Sequence, residues 1–98
     1  LNGTQVSTAL ALANLFRLER LFHNAIIVGS MTTFASQSSA IPFAAEIHEL
    51  RQQQGQIEVA EKYRALFKNQ LPAQGQRVQD PYSIRCQPQV MGACLDQL

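Results

Sequence analysis

The first third of the chain carries a hydrophobic pattern that repeats every three to four residues. Between residues 4 and 35 the apolar members of this pattern include Leu15, Leu18, Phe22 and Ala25. Charged and polar side chains take the opposite arc, at Arg17, Glu19, Arg20, His23 and Asn24. A period of this kind predicts one long amphipathic helix, roughly 45–50 Å in length at 1.5 Å per residue.

The polar face of this predicted helix disappears towards its end. Apolar residues there lie nearly all round the helix axis, at Ile26, Ile27, Val28, Met31 and Phe34. A helix that is apolar on every side is typical of the interior of a larger assembly. A helix of that length also exceeds any core that 98 residues can wrap. We therefore expect a helix bundle completed by other chains or by further segments.

Shorter helices are predicted after a polar break at residues 37–40. Pro42 is placed for the first turn of a second helix, whose expected apolar face consists of Phe43, Ile47 and Leu50. A third helix is predicted over about residues 56–69, with an i,i+4 pair between Glu58 and Lys62. Its expected inward side chains are Ile57, Ala60, Tyr63 and Phe67.

A linker over residues 71–77 leads into a loop that starts at residue 78, and Pro88 then begins the last predicted helix. Its expected apolar seam consists of Met91, Cys94, Leu95 and Leu98. Residues 5–8 offer a weak strand pattern, which the long helical period that follows outweighs. The predicted fold class is all-α, a long-helix bundle with a loop between helices.

Composition supports the expectation of a covered surface. Hydrophobic residues make up 46% of the chain and charged residues only 15%, against about a quarter in typical domains. A small domain has much surface per unit volume and should need more charge, not less. With a net charge of +1 and scattered Lys and Arg, no basic face for nucleic acid is expected.

The remaining compositional signals favour an ordinary cytoplasmic protein. The apolar run over residues 25–31 is too short to span a membrane, and no signal peptide is visible. Cys86 and Cys94 lie eight residues apart without a partner Cys or His at a metal-ligand spacing. We expect two free, buried thiols and no metal site.

The segment over residues 78–92 has the strongest chemical signal. It reads Val-Gln-Asp-Pro-Tyr-Ser-Ile-Arg-Cys-Gln-Pro-Gln-Val-Met-Gly, and we call it the signature segment. Gln79, Tyr82 and Arg85 recur at three-residue spacing, which on a helical turn directs them roughly the same way. An amide, a phenol and a guanidinium suit a small molecule that bears a carboxylate. The alternatives are a structural salt bridge for Arg85 and loop-backbone hydrogen bonds for the other two.

Other polar residues have simpler interpretations. Asp80 before Pro81 is expected to fix the loop, as Asp-Pro commonly does. His23 and His48 are expected to be solvated or capping histidines. Asn2, followed by glycine and threonine, is typical of a turn or a helix start.

The signature segment resembles the corresponding loop of the aromatic amino acid ammonia-lyases. Asn2-Gly3-Thr4-Gln5 at the start and His48-Glu49-Leu50-Arg51 in the middle are similar to that family too, so the resemblance covers residues 1–98. The run from Cys86 to Gly92 is closest to the histidine-specific branch. Ile84, where leucine is usual, and Gln74-Gly75-Gln76 depart from the family pattern. The resemblance implies that residues 1–98 form one internal segment of the central helical domain of a larger lyase.

The resemblance also implies a reaction, the elimination of ammonia from L-histidine to give trans-urocanate. It implies catalytic roles for Tyr82 and Asn2, substrate binding by Arg85, Gln79 and Asn2, and a homotetramer. The family's electrophile is a methylidene-imidazolone formed from an Ala-Ser-Gly tripeptide. This sequence has no such tripeptide, Ala35-Ser36-Gln37 being the nearest approach. We therefore expect the chain alone to be inactive.

Two rival interpretations stay open at this point. A phenylalanine or tyrosine ammonia-lyase or aminomutase would share the same scaffold. A non-catalytic helical oligomerisation module would share the apolar helices, although bundle packing does not require the clustered Gln79, Tyr82 and Arg85.

Overall fold

The computed structural model of the chain describes residues 3–98, and within that range all regular structure is helical. The elements are α1 (Gln5–Ala35), a short 3-10 helix (Ile41–Phe43), α2 (Ala45–Arg51), α3 (Gln54–Phe67), α4 (Tyr82–Arg85) and α5 (Gln87–Gln97). The predicted all-α class is confirmed. The long first helix, the third helix and the last helix lie within two residues of their expected bounds.

Helix α1 has two long faces with different environments. Its inner face, Phe22, Ile26, Ser30 and Thr33, is buried against the rest of the chain. Its outer face, which we define as Val6, Leu10, Leu21, Val28 and Met31, is 59–63% exposed. At about 100° per residue these five positions fall within one arc of the helix surface. Burial therefore begins only in the second half of α1, and Leu18, a member of the apolar pattern of this helix, is 51% exposed.

The core lies where the end of α1 meets α3 and the 3-10 helix. Its buried members are Phe22, Ile26, Phe43, Val59, Tyr63, Phe67 and Leu71. Aromatic rings meet edge to face within it: the centroids of Phe43 and Phe67 lie 4.8 Å apart, and those of Phe34 and Phe67 lie 5.5 Å apart. This is the favoured geometry for aromatic pairs. Burial raises the pKa of the Tyr63 phenol to about 12.

Helix α3 has the inward face that its period predicts. Ala60, Tyr63 and Phe67 are buried, and Lys62 Nζ lies 2.6 Å from Glu58 Oε1 in the expected ion pair. Ile57 is only half-buried, whereas Val59 is buried completely. The inward face is therefore wider than expected, because α3 packs against α5 as well as against α1.

Two glycines allow α3 and α5 to approach closely. A Cβ atom added at Gly92 would lie 2.5 Å from the backbone Cα and N of Gln56. Gly55 faces the same crossing, and its N–H donates to Asp96 Oδ1 at 3.0 Å. Any side chain at residue 92 would therefore push the two helices apart.

The second helix differs from the prediction. Pro42 lies in the 3-10 helix, and Ala44 then adopts an extended backbone (φ −62°, ψ 140°) that separates it from α2. The predicted common face is wrong: Phe43 is buried, whereas Ile47 and Leu50 are 37% and 84% exposed. The break rotates α2 relative to the turn before it, so that a different residue of α2 faces inward.

That residue is His48, and the expectation of a solvated or capping histidine is wrong. His48 is 1% exposed. Its Nε2–H donates to the Pro42 carbonyl oxygen at 2.9 Å, and its Nδ1 accepts from Gln56 Nε2 at 2.8 Å. Burial lowers the pKa of His48 below its ordinary value of 6.5, and the charge of Arg64 acts in the same direction.

The expected apolar seam of α5 is confirmed only in part. Met91 and Leu95 pack against the core, whereas Leu98 is 42% exposed. Both cysteines are free, but Cys94 is exposed and Cys86 half-buried, so the expected burial of the thiols is wrong. Cys94 lies two residues after Gly92, about 200° round the helix from the contact with α3.

Candidate functional site

A cavity of about 650 Å³ lies beside the signature segment. One wall is formed by residues after α1, namely Ser39, Ile41, Pro42 and Ile47. The opposite wall comes from the signature segment and includes Gln79, Asp80, Arg85, Cys86 and Gln89. The volume is within the range of small-molecule sites. The segment singled out by its chemistry is thus one wall of a concave site.

Backbone and side-chain hydrogen bonds from the turn after α1 hold the irregular segment before α4. Ser39 N–H donates to Asp80 Oδ2 at 2.9 Å, and Ser39 Oγ–H donates to the Ala73 carbonyl at 2.6 Å. Ala40 N–H donates to the Pro72 carbonyl at 2.8 Å. These bonds fix a stretch that has no regular structure of its own. The prediction that Asp80 fixes the loop is confirmed.

Helix α4 places Arg85 at the cavity. Pro81 precedes the helix with an extended backbone (φ −65°, ψ 159°), and its carbonyl accepts from Ile84 and Arg85 N–H at 3.0 Å each. A proline is suited to this position because its φ is already helical and it has no N–H to leave unpaired. The Asp-Pro pair therefore both ends the irregular segment and begins the helix.

The guanidinium of Arg85 is held on one edge and on one face. Its Nε–H donates to the Asp80 carbonyl at 2.8 Å, and its central carbon lies 4.0 Å from the centroid of the Tyr82 ring. Within residues 3–98 its two Nη groups have neither a hydrogen-bond partner nor a carboxylate in salt-bridge range. Two parallel donors are thus left for an incoming carboxylate, which is the geometry of bidentate recognition. The structural salt bridge that the sequence left open is not formed in this part of the chain.

The predicted site residues are not all brought together. Gln79 and Arg85 both line the cavity. Tyr82 is 71% exposed and does not line it, and its ring contacts the Arg85 guanidinium instead. The helical spacing does not hold across Gln79 and Tyr82 because α4 begins only at Tyr82. The prediction for Asn2 falls outside the described residues.

Buried acceptors complete the cavity wall, and the sequence did not single them out as such. Asp80 is 6% exposed, and its Oδ1 has no hydrogen-bond partner within residues 3–98. Gln89 Oε1 is likewise buried and unpaired there. Buried acceptors of this kind are normally paired. Neither oxygen is accessible from the cavity, so recognition of a ligand there rests on the Arg85 guanidinium.

Residues 3–98 contain neither a cluster of metal-binding side chains nor a membrane-spanning helix. No group of three or more His, Cys, Asp or Glu side chains in that range is arranged to hold a metal ion. None of the helices described there combines the length and apolarity needed to cross a membrane.

Comparison with known proteins gives a consistent result along the whole chain. The profile of the family described as aromatic amino acid lyase matches residues 1–98. The chain is 55% identical to a histidine ammonia-lyase of Burkholderia cenocepacia over 102 aligned positions, covering all of this chain and 20% of that protein. Histidine ammonia-lyases of Burkholderia vietnamiensis and Aromatoleum aromaticum are 54% and 55% identical, with coverages of 20% and 19%. The chain thus spans about a fifth of the length of these relatives.

Proposed function

The chain belongs to the aromatic amino acid lyase family, and from this premise we propose that it is one segment of a histidine ammonia-lyase. The reaction is the elimination of ammonia from L-histidine to give trans-urocanate. The names of the relatives support the substrate. The observation that carries the proposal is Arg85, whose guanidinium is held at Nε and on one face, while both Nη groups have no partner among residues 3–98 beside the cavity.

Arg85 is the residue that binds the substrate carboxylate in this proposal. A planar fork with two donors fixes the orientation of a carboxylate as well as its position. Gln79, on the same wall, contributes an amide that can donate to or accept from the substrate. Fixing one end of a small substrate in this way places its β-carbon for proton removal.

Tyr82 and Asn2 are proposed as the catalytic residues of this segment, Asn2 also contacting substrate. Tyr82 supports the role through its open phenol, which is 71% exposed and stacks beside the carboxylate-binding guanidinium. A phenol in this position can hold or move a proton at its hydroxyl oxygen. For Asn2 the support is the match of Asn2-Gly3-Thr4 to the family pattern.

In this proposal the family's prosthetic group, a methylidene-imidazolone, lies beside these residues but is formed elsewhere in the protein. When present, it supplies an electron sink that activates the substrate for loss of its amino group. The 98 residues contain no Ala-Ser-Gly from which it forms. The exposed side of Tyr82 is open to such a group from another part of the protein. No metal is part of the proposal.

A location in the cytoplasm is part of the proposal. So is self-association of the intact protein into a homotetramer, and the support that follows concerns this self-association. The support is the outer face of α1, whose five apolar side chains are 59–63% exposed. Exposed apolar side chains in this number mark sites of association, although Arg17 and Asn24 interrupt them on the same arc of the helix. A second copy of the same chain is the partner that the family's tetrameric assembly implies.

The test is product formation by the intact protein that carries this segment. With L-histidine we expect urocanate, followed by its ultraviolet absorbance, and no comparable product from L-phenylalanine or L-tyrosine. Preferred turnover of either of those two would favour the aromatic-substrate or aminomutase alternative. No turnover of any of the three would favour a non-catalytic module. The 98-residue chain alone should give no urocanate, because it lacks the tripeptide.

A further inference from the structure

We propose that Asp80 is a positioning residue for Arg85, which acts by tying the cavity wall to the end of α1. The inference rests on the proposed function in one respect, namely that Arg85 receives the substrate carboxylate. Asp80 makes two bonds in different directions. Its side-chain Oδ2 accepts from Ser39 N–H at 2.9 Å, and its main-chain carbonyl accepts from Arg85 Nε–H at 2.8 Å.

The side-chain bond ties the irregular stretch before α4 to the turn after α1, across the intervening helices α2 and α3. Ser39 and Asp80 are 41 residues apart in sequence, and residues 69–81 contain no helix or strand. A segment of this kind is held by individual hydrogen bonds, since no ladder or helix ties it down. The bond to an ionised carboxylate is the charge-assisted kind, which is about twice as strong as a neutral one. Asp80 is therefore the anchor that sets the position of its own carbonyl.

The burial of Asp80 is costly for stability, which argues for a reason other than packing. The residue is 6% exposed, and Oδ1 has no partner within residues 3–98. A buried carboxylate with an unpaired oxygen is unfavourable compared with a neutral side chain of similar size. This loss of stability is explained if the carboxylate is needed to hold the loop at a fixed place beside the cavity. Asp80 and Arg85 both line that cavity.

The carbonyl of Asp80 determines which edge of the guanidinium is free. It occupies Nε–H, while the Tyr82 ring covers one face at 4.0 Å. These two contacts fix the direction of the Nη edge even before a ligand binds. Misplacement by about 1 Å far from the reacting atoms can cost on the order of a hundredfold in rate. Loosening the Ser39 bond should therefore weaken carboxylate recognition although Arg85 itself is unchanged.

The experiment compares Asp80→Ala and Asp80→Asn in the intact protein, with L-histidine and L-histidinol as ligands. L-histidinol lacks the carboxylate. Asp80→Ala should lower kcat/KM for L-histidine about ten- to hundredfold and shrink the preference of binding for L-histidine over L-histidinol. Asp80→Asn keeps an oxygen that accepts from Ser39 N–H and should retain most of that preference.

Asp96→Ala is the matched control. It removes another carboxylate that accepts a backbone N–H 41 residues away, from Gly55 at 3.0 Å, but it does not line the cavity. This control should leave the ratio of the two affinities unchanged. Equal weakening of both ligands by Asp80→Ala would mean that Asp80 is only structural and would overturn the proposal. So would the same change of ratio in the Asp96 variant.

A second measurement separates this proposal from the proposed function. If the wild-type protein forms no urocanate, the proposed function fails, and the solvent exchange of the Arg85 Nε–H, followed by NMR, decides the role of Asp80. About tenfold faster exchange in Asp80→Ala than in wild type and in Asp96→Ala supports positioning. An unchanged exchange rate overturns it.

Discussion

The outer face of α1 and the core are built from the same kinds of side chain and have opposite environments. The outer-face side chains are 59–63% exposed, whereas the seven core side chains are 0–9% exposed. The outer-face residues and the core residues of α1 and α3 all recur at helical spacing in the sequence. The comparison shows that periodic apolar residues indicate burial somewhere, but not which partner provides it.

The geometry of the chain explains the difference. Helix α1 has 31 residues and extends beyond the body formed by the other helices, so the longest dimension is 59 Å. The radius of gyration is 16.5 Å, against about 13 Å for a compact domain of 100 residues. The core side chains are buried by contacts within this chain. The outer face needs another surface, and the proposed tetramer supplies one.

The largest expected effect follows from removing the outer face. Replacing Leu10, Leu21 and Met31 by Gln in the intact protein keeps helix propensity but removes three apolar side chains. Burial of each is worth about 1.5–3 kcal/mol, so assembly should weaken by several kcal/mol. Sedimentation velocity should show dissociation of the tetramer into smaller species.

The control changes three exposed polar residues on another arc of the same helix, Thr8, Glu19 and His23, to Gln. Assembly of this variant should match the wild type. Two results would contradict the comparison between the regions: undisturbed assembly of the apolar triple variant, or a compact 10.9 kDa monomer of the isolated chain by light scattering.

A smaller effect, on stability, is expected from a change at the contact between α3 and α5, which forms without a second chain. Gly92→Ala would place a Cβ 2.5 Å from the backbone of Gln56, and backbone cannot move aside as a side-chain end can. Overpacking of this kind should cost about 3 kcal/mol of stability. Thermal unfolding followed by circular dichroism measures the loss. Gly3→Ala, at an exposed position, is the matched control and should leave the melting temperature unchanged; equal melting of both variants would show that α3 and α5 are not closely packed.

The smallest effect concerns the pH dependence of the body. Because the pKa of His48 is lowered in the folded protein, the unfolded chain takes up a proton first as the pH falls below 6.5. The contribution of His48 to stability is therefore full above that pH, falls as the pH drops through this window, and levels off below the folded pKa.

Unfolding by urea at a series of pH values from neutral to mildly acidic checks this expectation. His48→Gln should flatten that part of the profile, and His23→Gln, which changes an exposed histidine of α1, should not. A profile that is equally steep in wild type and His48→Gln would show that another group is responsible.

Local pattern was sufficient for the parts of the fold that depend on neighbours in sequence. The periodic runs of α1 and α3 and the position of Pro88 in the first turn of α5 all follow from residues a few positions apart. The prediction for the second helix was wrong because of a local change in the backbone that the hydrophobic pattern does not indicate. Ala44 leaves the helical region, so the residues after it turn a different side inward.

The candidate site was predictable in its chemistry and not in its geometry. Gln79 and Arg85 stand out as residue types, and both line the cavity. The bond between Ser39 and Asp80 depends on tertiary structure over 41 residues, which no local pattern encodes. The same holds for His48, which is buried and accepts a hydrogen bond from Gln56 of another helix.

The most direct test of the central claim is the response of Arg85 variants to two ligands that differ in the carboxylate. A hydrogen bond to a charged group is worth about 1.5–3 kcal/mol, so Arg85→Lys in the intact protein should lower kcat/KM for L-histidine roughly ten- to hundredfold, and Arg85→Ala by at least as much. Binding of L-histidinol should be weak in wild type and nearly the same in both variants. Equal losses for L-histidine and L-histidinol would show that Arg85 is structural, and would contradict its role as the residue that binds the carboxylate.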